Sequence, residues 1–223
     1  MYEENRVIVK TIILDFDGVV LESVDVKTNA FRRLFSFSPE HVDEIVCYHL
    51  ENGGMSRFEK FRHIYSCILK EPLSDSLFAE LSARFSELVY DAVLAAPFVE
   101  GAREFITGCS GTTPVHIVTA TPYEEICRII RARHLTTCFA SVHGAPTAKS
   151  AAIEEILEQG GIRPSSALFI GDSRNDWQAA VTTGVRFIGR VRPGDRNPFE
   201  GLPGIEATIP DLQSLKAYLE ADP

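Results

Sequence analysis

Apolar residues Val7, Ile8, Val9, Ile12, Ile13 and Leu14 form a nearly continuous run that ends abruptly in Asp15-Phe16-Asp17-Gly18. The run predicts a buried strand whose end carries two carboxylates one residue apart. From Ser23 to about Leu94 the pattern is helical. Phe58, Phe61, Tyr65 and Ile68 recur at helical spacing, as do Leu77/Phe78, Leu81, Phe85, Leu88/Val89 and Ala92. Ser38-Pro39-Glu40 predicts an N-cap with proline at the first helical position. After Ala96-Pro97 short β-branched runs alternate with helical stretches. Strands are expected at residues 115–118, 139–142, 167–170, 186–188 and 207–209. Helices are expected at 124–133, 149–159, 176–182 and from Asp211 onward. This alternation is the mark of parallel strands with crossover helices, so the fold class is α/β with a doubly wound parallel sheet. Residues 1–20 and 96–223 would form that core, and residues 21–95 an all-helical block inserted after strand one.

In an extended chain Asp15 and Asp17 point to the same side. Two crowded carboxylates repel, so the pair is comfortable only with a cation or a shared proton. In doubly wound sheets reactive groups gather at the carboxyl ends of strands, and three further polar groups are expected near that edge. They are Thr119 after the second strand, Lys149 opening a helix, and the loop Gly171-Asp172-Ser173-Arg174-Asn175-Asp176. Each has a plainer reading. Thr119 would cap a helix, Lys149 would be a solvated charge, and Asp172 and Asp176 would cap and support the first turn of the next helix. The plain readings do not account for an acid pair, a hydroxyl, a lysine and a second acidic group in this order, and a reactive site does. The stretch from Gly144 to Ser150 is no nucleotide P-loop, since Ala148 and His143 stand where that motif needs glycine, and no Gly-x-Gly-x-x-Gly follows strand one.

Composition narrows the partners. The 223 residues, 45% hydrophobic and 24% charged, suit one domain with an insertion or two small domains. A formal net charge of −9 works against nucleic acid or an anionic membrane as partner. No apolar run approaches the length of a membrane span and the first residues are too polar for a signal peptide, so a cytoplasmic address is expected. Cys47, Cys67, Cys109, Cys127 and Cys138 are scattered, which indicates neither disulfides nor a zinc site.

Taken together, Asp15-x-Asp17-Gly18, Thr119, Lys149 and Gly171-Asp172-Ser173-x-x-Asp176 resemble the four motifs of the haloacid dehalogenase superfamily of aspartate-nucleophile hydrolases. The resemblance implies a Rossmann-like core with an inserted helical cap, closing over the acid pair. It implies that Asp15 is the nucleophile and Asp17 the general acid/base, with Lys149 fixing Asp15. Thr119 and nearby backbone N–H groups would hold the transferring oxygens, with Gly18 and Ala120 among the substrate-binding positions. Mg2+ is the implied cofactor, held by Asp15, the backbone carbonyl of Asp17 and Asp172, with Asp176 as a further ligand or support. The acid at Asp17 favours phosphate esters over the dehalogenase and phosphonate chemistries of the superfamily. The implied activity is that of a monomeric phosphatase acting on a small-molecule phosphate ester. Two alternatives stand beside it: a sugar phosphomutase of the β-phosphoglucomutase type and a non-catalytic domain keeping the fold. The stretch Gly54-Met55-Ser56-Arg57 resembles the mutase cap loop, which makes Gly54, Ser56 and Arg57 candidate substrate contacts, Arg57 for a second phosphate. Ser56 is equally an N-cap. Against the mutase, Gly53 stands in place of its lysine and Lys27 in place of its hinge histidine. Glu22, Lys27, Asn52 and His63 are further candidate contacts, and residues 190–198, with Arg192, Arg196 and the prolines, have two readings, a border to the active site and a plain turn, of which the turn is expected.

Overall fold

The computed structural model describes residues 8–109 and 113–221. Six strands form one parallel sheet: β1 Thr11–Leu14, β2 Val115–Pro122, β3 Ser141–Ala145, β4 Ala167–Gly171, β5 Arg186–Arg190 and β6 Ala207–Ile209. Their order is β3-β2-β1-β4-β5-β6. The chain winds outward from β1 in both directions, so the carboxyl ends of β1 and β4 flank the crevice where such sheets bind ligands.

The four residues of β1 are all buried, because helices cover both faces of the sheet. Ile12 and Leu14 join the apolar cluster on one face, and Ile13 joins Phe169, Phe187 and Ile153 on the other. Between β1 and β2 lie α1 (Val24–Leu34), α2 (Val42–Glu51), α3 (Arg57–His63), which runs on as a π-helical segment Ile64–Leu69, α4 (Asp75–Ala95) and α5 (Ala102–Cys109). Then follow α6 (Tyr123–Ala132), α7 (Lys149–Gly160), α8 (Arg174–Thr183) and α9 (Leu212–Ala221). The stripes on α1, α3 and α4 meet in an aromatic cluster. Phe31 lies 4.8 Å from Phe85 and 5.9 Å from Phe61, ring centre to ring centre, and this cluster is continuous with the apolar layer of the sheet.

Several boundaries differ from the sequence expectation. Strand pairing in β1 begins at Thr11, Ile8 is exposed, and Val7 lies outside the described residues. Ser38 does not cap a helix: its hydroxyl bonds Glu40 and His41 in a turn, and α2 starts at Val42. Strand β3 begins two residues late and runs on to Ala145. It can do so because Gly144 lies against β2, where a Cβ would meet the Thr121 carbonyl oxygen at 2.6 Å. Helix α5 had no counterpart in the expected elements.

Phe61 is fully buried at the centre of the aromatic cluster. Phe61→Ala is expected to cost about 3–5 kcal/mol in urea unfolding, the range for a phenyl cavity that cannot collapse.

Candidate active site

The ladder carries β1 one residue past its last strand position, where Asp15 N–H donates to the Ile170 carbonyl at 2.9 Å. This holds Asp15 beside the end of β4, with only 3% of its surface exposed. Lys149, the first residue of α7, is buried as well, and its Nζ lies 3.0 Å from Asp15 Oδ1 and 2.5 Å from Asp176 Oδ1. The reading of Lys149 as a solvated charge is therefore set aside. Asp176 serves α8 at the same time: its Oδ2 accepts from the Ser173 N–H at 3.0 Å and from the Ser173 hydroxyl at 2.5 Å, forming a capping box. Asp172, half-buried, completes the group. Carboxylate oxygens of Asp15, Asp172 and Asp176 lie within 4.8 Å of one another. Two glycines make this crowding possible. Gly18, at φ +81°, brings the loop after β1 so close that a Cβ would sit 2.1 Å from Asp172 Oδ2, and a Cβ on Gly171 would sit 2.2 Å from that of Asp176.

The electrostatics follow from three carboxylates sharing one ammonium. Burial, then the neighbouring charges of Asp176 and Asp17, push Asp15 up to about 7 against the opposing pull of Lys149. Burial and the same crowding, led by Asp15, hold Asp172 well above the carboxylate range. For Lys149 burial pulls down, but Asp15 and Asp176 outweigh it and keep the ammonium charged. Asp17 goes the other way. Burial pushes it up, but Lys27 and the hydroxyls of Ser23, at 2.6 Å, and Thr121, at 2.8 Å, hold it below its usual value.

The donor set fits Mg2+. Three hard oxygen donors converge, and Asp15 Oδ1 is buried with an ion-pair neighbour but no hydrogen-bond donor. Both oxygens of Asp176 already accept hydrogen bonds, which leaves Asp15 and Asp172 as the carboxylates best able to face an ion. The Asp17 carboxylate turns toward Lys27 and stands outside this group, so the sequence expectation for it rests on its backbone carbonyl alone.

A family model of haloacid dehalogenase-like hydrolases matches residues 12–190. The chain belongs to this family. A phosphoglycolate phosphatase of Rhodobacter capsulatus is 27% identical over 229 residues, taking in 94% of this chain and 96% of the relative. Two solved structures share the fold. CbbY from Rhodobacter sphaeroides in complex with phosphate has a TM-score of 0.72 at 19% identity, covering 96% of this chain and 100% of CbbY. YfnB of Bacillus subtilis bound to magnesium has a TM-score of 0.69 at 17% identity, covering 96% of this chain and 99% of YfnB.

In this haloacid dehalogenase-like hydrolase the helical block touches the core directly. Thr119, Ala120, Asp15, Asp17 and Asp172 line a cavity of ≈ 90 Å³ whose opposite wall is made by residues of α1, α2 and the loop before α3. Thr119 does not cap α6. Its hydroxyl accepts from the Thr121 N–H at 3.2 Å, and β2 continues past it to Pro122. Gly54, at φ +72°, docks on the acidic loop, where a Cβ would meet Ser173 Oγ at 2.2 Å, and the Asn175 side chain donates to the Gly53 carbonyl at 2.6 Å. Ser56 is the N-cap of α3, in a capping box with Glu59.

Arg57 lines this cavity too, with its side chain already engaged. Its guanidinium is buried and forked onto Glu125 of α6 at 2.6 and 3.0 Å, with Ser86 of α4 at 2.7 Å and the Phe85 ring 4.5 Å away. That fork clasps helical block to core, and a buried bidentate pair does not release its arginine to a substrate phosphate without leaving Glu125 unpaired. Three other candidates also have partners within the protein. Glu22 pairs with Arg190, Asn52 donates to the Tyr48 carbonyl, and His63 stacks on Tyr48 at 4.1 Å. The segment from residue 190 is more than a turn at its start, since Arg190 is buried and donates to the Gly18 carbonyl at 3.2 Å, propping the loop that carries Asp17. Arg192 pairs with Asp25 and Asp195. Sequence reasoning missed Thr121, Ser23, Glu125 and Arg190 as partners, because an isolated hydroxyl or charge carries no spacing signal. Lys27 was legible as a hinge position and a candidate contact, but not as the partner of Asp17.

The clasp can be read by a double-mutant cycle. Glu125→Met alone is expected to destabilise by about 3–5 kcal/mol in urea unfolding, and the pair Arg57→Met/Glu125→Met to recover most of that loss, because the uncompensated buried charge has gone.

Proposed function

We propose that this chain is a Mg2+-dependent phosphatase that hydrolyses a small phosphorylated metabolite through an aspartyl-phosphate on Asp15. Residues 21–95 act as a cap on the core formed by 1–20 and 96–223. The observation that carries the reading is the buried Asp15, braced by Lys149 and lining a cavity between core and helical block, with a second aspartate two residues on in an opposite electrostatic environment. As it stands the split is the reverse of the one the two roles need, so a cation beside Asp15 would return it to the carboxylate and Asp17 would have to shed Lys27 before it donates a proton. A relative named as a phosphoglycolate phosphatase and fold neighbours solved with phosphate and with magnesium support it.

A carboxylate oxygen of Asp15 attacks phosphorus, the bond from phosphorus to the ester oxygen breaks, and the leaving oxygen takes a proton from Asp17. Asp17 then removes a proton from water, the resulting oxygen attacks phosphorus, and the bond to Asp15 breaks to release phosphate. Lys149 and the Thr119 hydroxyl stabilise the transferring oxygens. Mg2+ held by Asp15 and Asp172 would offset the charge that otherwise keeps an anionic nucleophile from an anionic phosphate. With Lys27 on it, Asp17 is ready for the base step. The acid step requires that pair to loosen, which ties protonation of Asp17 to the position of α1. The mutase reading loses its main support with Arg57 committed to Glu125. No helix among the described residues is long and apolar enough to cross a membrane, and we place the enzyme in the cytoplasm as a monomer.

Phosphate release from a panel of small esters is expected to depend on Mg2+, to vanish with chelator and in Asp15→Asn, and to fall by roughly 10²-fold or more in Lys149→Met. Turnover surviving in Asp15→Asn would overturn the nucleophile assignment. Replacing Lys27 by methionine removes the main charge holding Asp17 down. The acidic limb of the pH–rate profile is therefore expected to move to higher pH, and an unmoved limb would detach that limb from Asp17.

A further inference from the structure

The described buried cations come with anions, apart from one. Lys149 has Asp15 and Asp176, Arg57 has Glu125, and Arg190 has Glu22. Lys60, on α3 and 3% exposed, has none: its Nζ donates to His49 Nδ1 at 2.9 Å and to the His49 carbonyl at 3.1 Å, with the Phe31 ring 5.6 Å away. An ammonium has three N–H donors, and these contacts use two. His49 cannot supply charge either, since burial and then Lys60 itself push it down to about 2, so its Nδ1 accepts. A buried charge without a counter-ion is among the costliest arrangements a protein can hold. The cost is visible in Lys60, which burial, then Lys27 and Lys149, pull down to about 7 against a partial offset from Asp172.

The geometry gives this cost a purpose. Lys60 and His49 line the same ≈ 90 Å³ cavity as Asp15, Asp17, Thr119 and Asp172. Lys60 lies one helical turn after Arg57, so the clasp to Glu125 fixes where α3 presents it. Lys27 lines the cavity too, but Asp17 and Thr121 already engage it. Resting on the phosphatase reading, we propose that Lys60, oriented by His49, receives the carboxylate of the substrate, and that the substrate is a short phosphorylated carboxylic acid. The ≈ 90 Å³ cavity is partly open and adjoins a larger pocket with which it shares Gly54, Met55 and Ala120. A short phosphorylated acid with its phosphate at Asp15 would bring its carboxylate into the space that Lys60 lines. A carboxylate there would supply the missing anion and the acceptor for the third N–H.

The test compares phosphoglycolate with 2-hydroxyethyl phosphate, which replaces the carboxylate by a neutral group, in wild type, Lys60→Met and Lys60→Arg. The ratio of kcat/KM values for acid over neutral ester is expected to fall at least ~30-fold in Lys60→Met, mostly through KM, and to be partly restored in Lys60→Arg. A ratio that stays the same overturns the inference while leaving the phosphatase reading in place. A second arm needs no turnover. Calorimetry of phosphoglycolate binding to the Asp15→Asn protein with Mg2+ is expected to show a similar weakening when Lys60→Met is added. Affinity unchanged by that substitution overturns the inference, even where no ester proves to be a substrate and the phosphatase reading itself fails. Thermal unfolding separates loss of a receptor from loss of structure. The folded state holds Lys60 below its unfolded value, so its charge destabilises fully below pH 7, and the cost fades as pH rises toward the unfolded value of about 10.5. Lys60→Met is accordingly expected to unfold at higher temperature than wild type, with the gap narrowing above pH 7. A lower midpoint at pH 7 with unchanged selectivity would make Lys60 a packing element.

Discussion

The ion triad of Lys149 with Asp15 and Asp176 is the constraint on which the rest of the site depends. Removing an ammonium from water is expensive, and it stays charged here because two carboxylates accept it in one place. The triad joins three separate elements: the end of β1, the start of α7 and the first turn of α8. Asp176 gives one oxygen to Lys149 and the other to the cap of its own helix, so the helix start and the charge balance share a side chain. Asp176 thus supports the first turn of α8, as the plain reading has it, and also stands within the acidic cluster.

Lys149 cannot neutralise the whole cluster. With Asp172 added, three carboxylates face a single ammonium, and the resulting upward pressure on Asp15 and Asp172 is the physical signature of a place that wants a further cation. Asp17 escapes that pressure chiefly because α1 returns Lys27 to it, with the hydroxyls of Ser23 and Thr121 adding to the effect. The contrast between two aspartates with one residue between them is thus made by a helix of the inserted block and not by the strand that carries both.

The inserted block is held in three ways: an aromatic cluster continuous with the sheet's apolar layer, the Arg57–Glu125 clasp, and a glycine loop seated on the acidic segment after β4. The first is non-directional and supplies most of the burial. The second and third are directional, and they set where Lys60 and His49 stand relative to Asp15. The cavity is bounded by residues of the core and of the inserted block alike, so its shape depends on how the two surfaces meet.

The sequence by itself determined the sheet, because the β-branched runs and their spacing leave little choice of element type. It also determined the residues meeting at the acidic end, because Asp15, Asp17, Thr119, Lys149, Asp172 and Asp176 stand at strand ends and helix starts whose position follows from the pattern. Tertiary structure alone decided the partners of the cap. Arg57 read as a candidate phosphate contact with no partner in view until α6 placed Glu125 opposite it, and Lys60 drew no notice in a helical stretch until burial left it without an anion. Strand and helix periodicity is local and survives in one dimension. Which charge lacks a partner is a property of side chains far apart in the chain, and it exists only once packing has excluded water from between them.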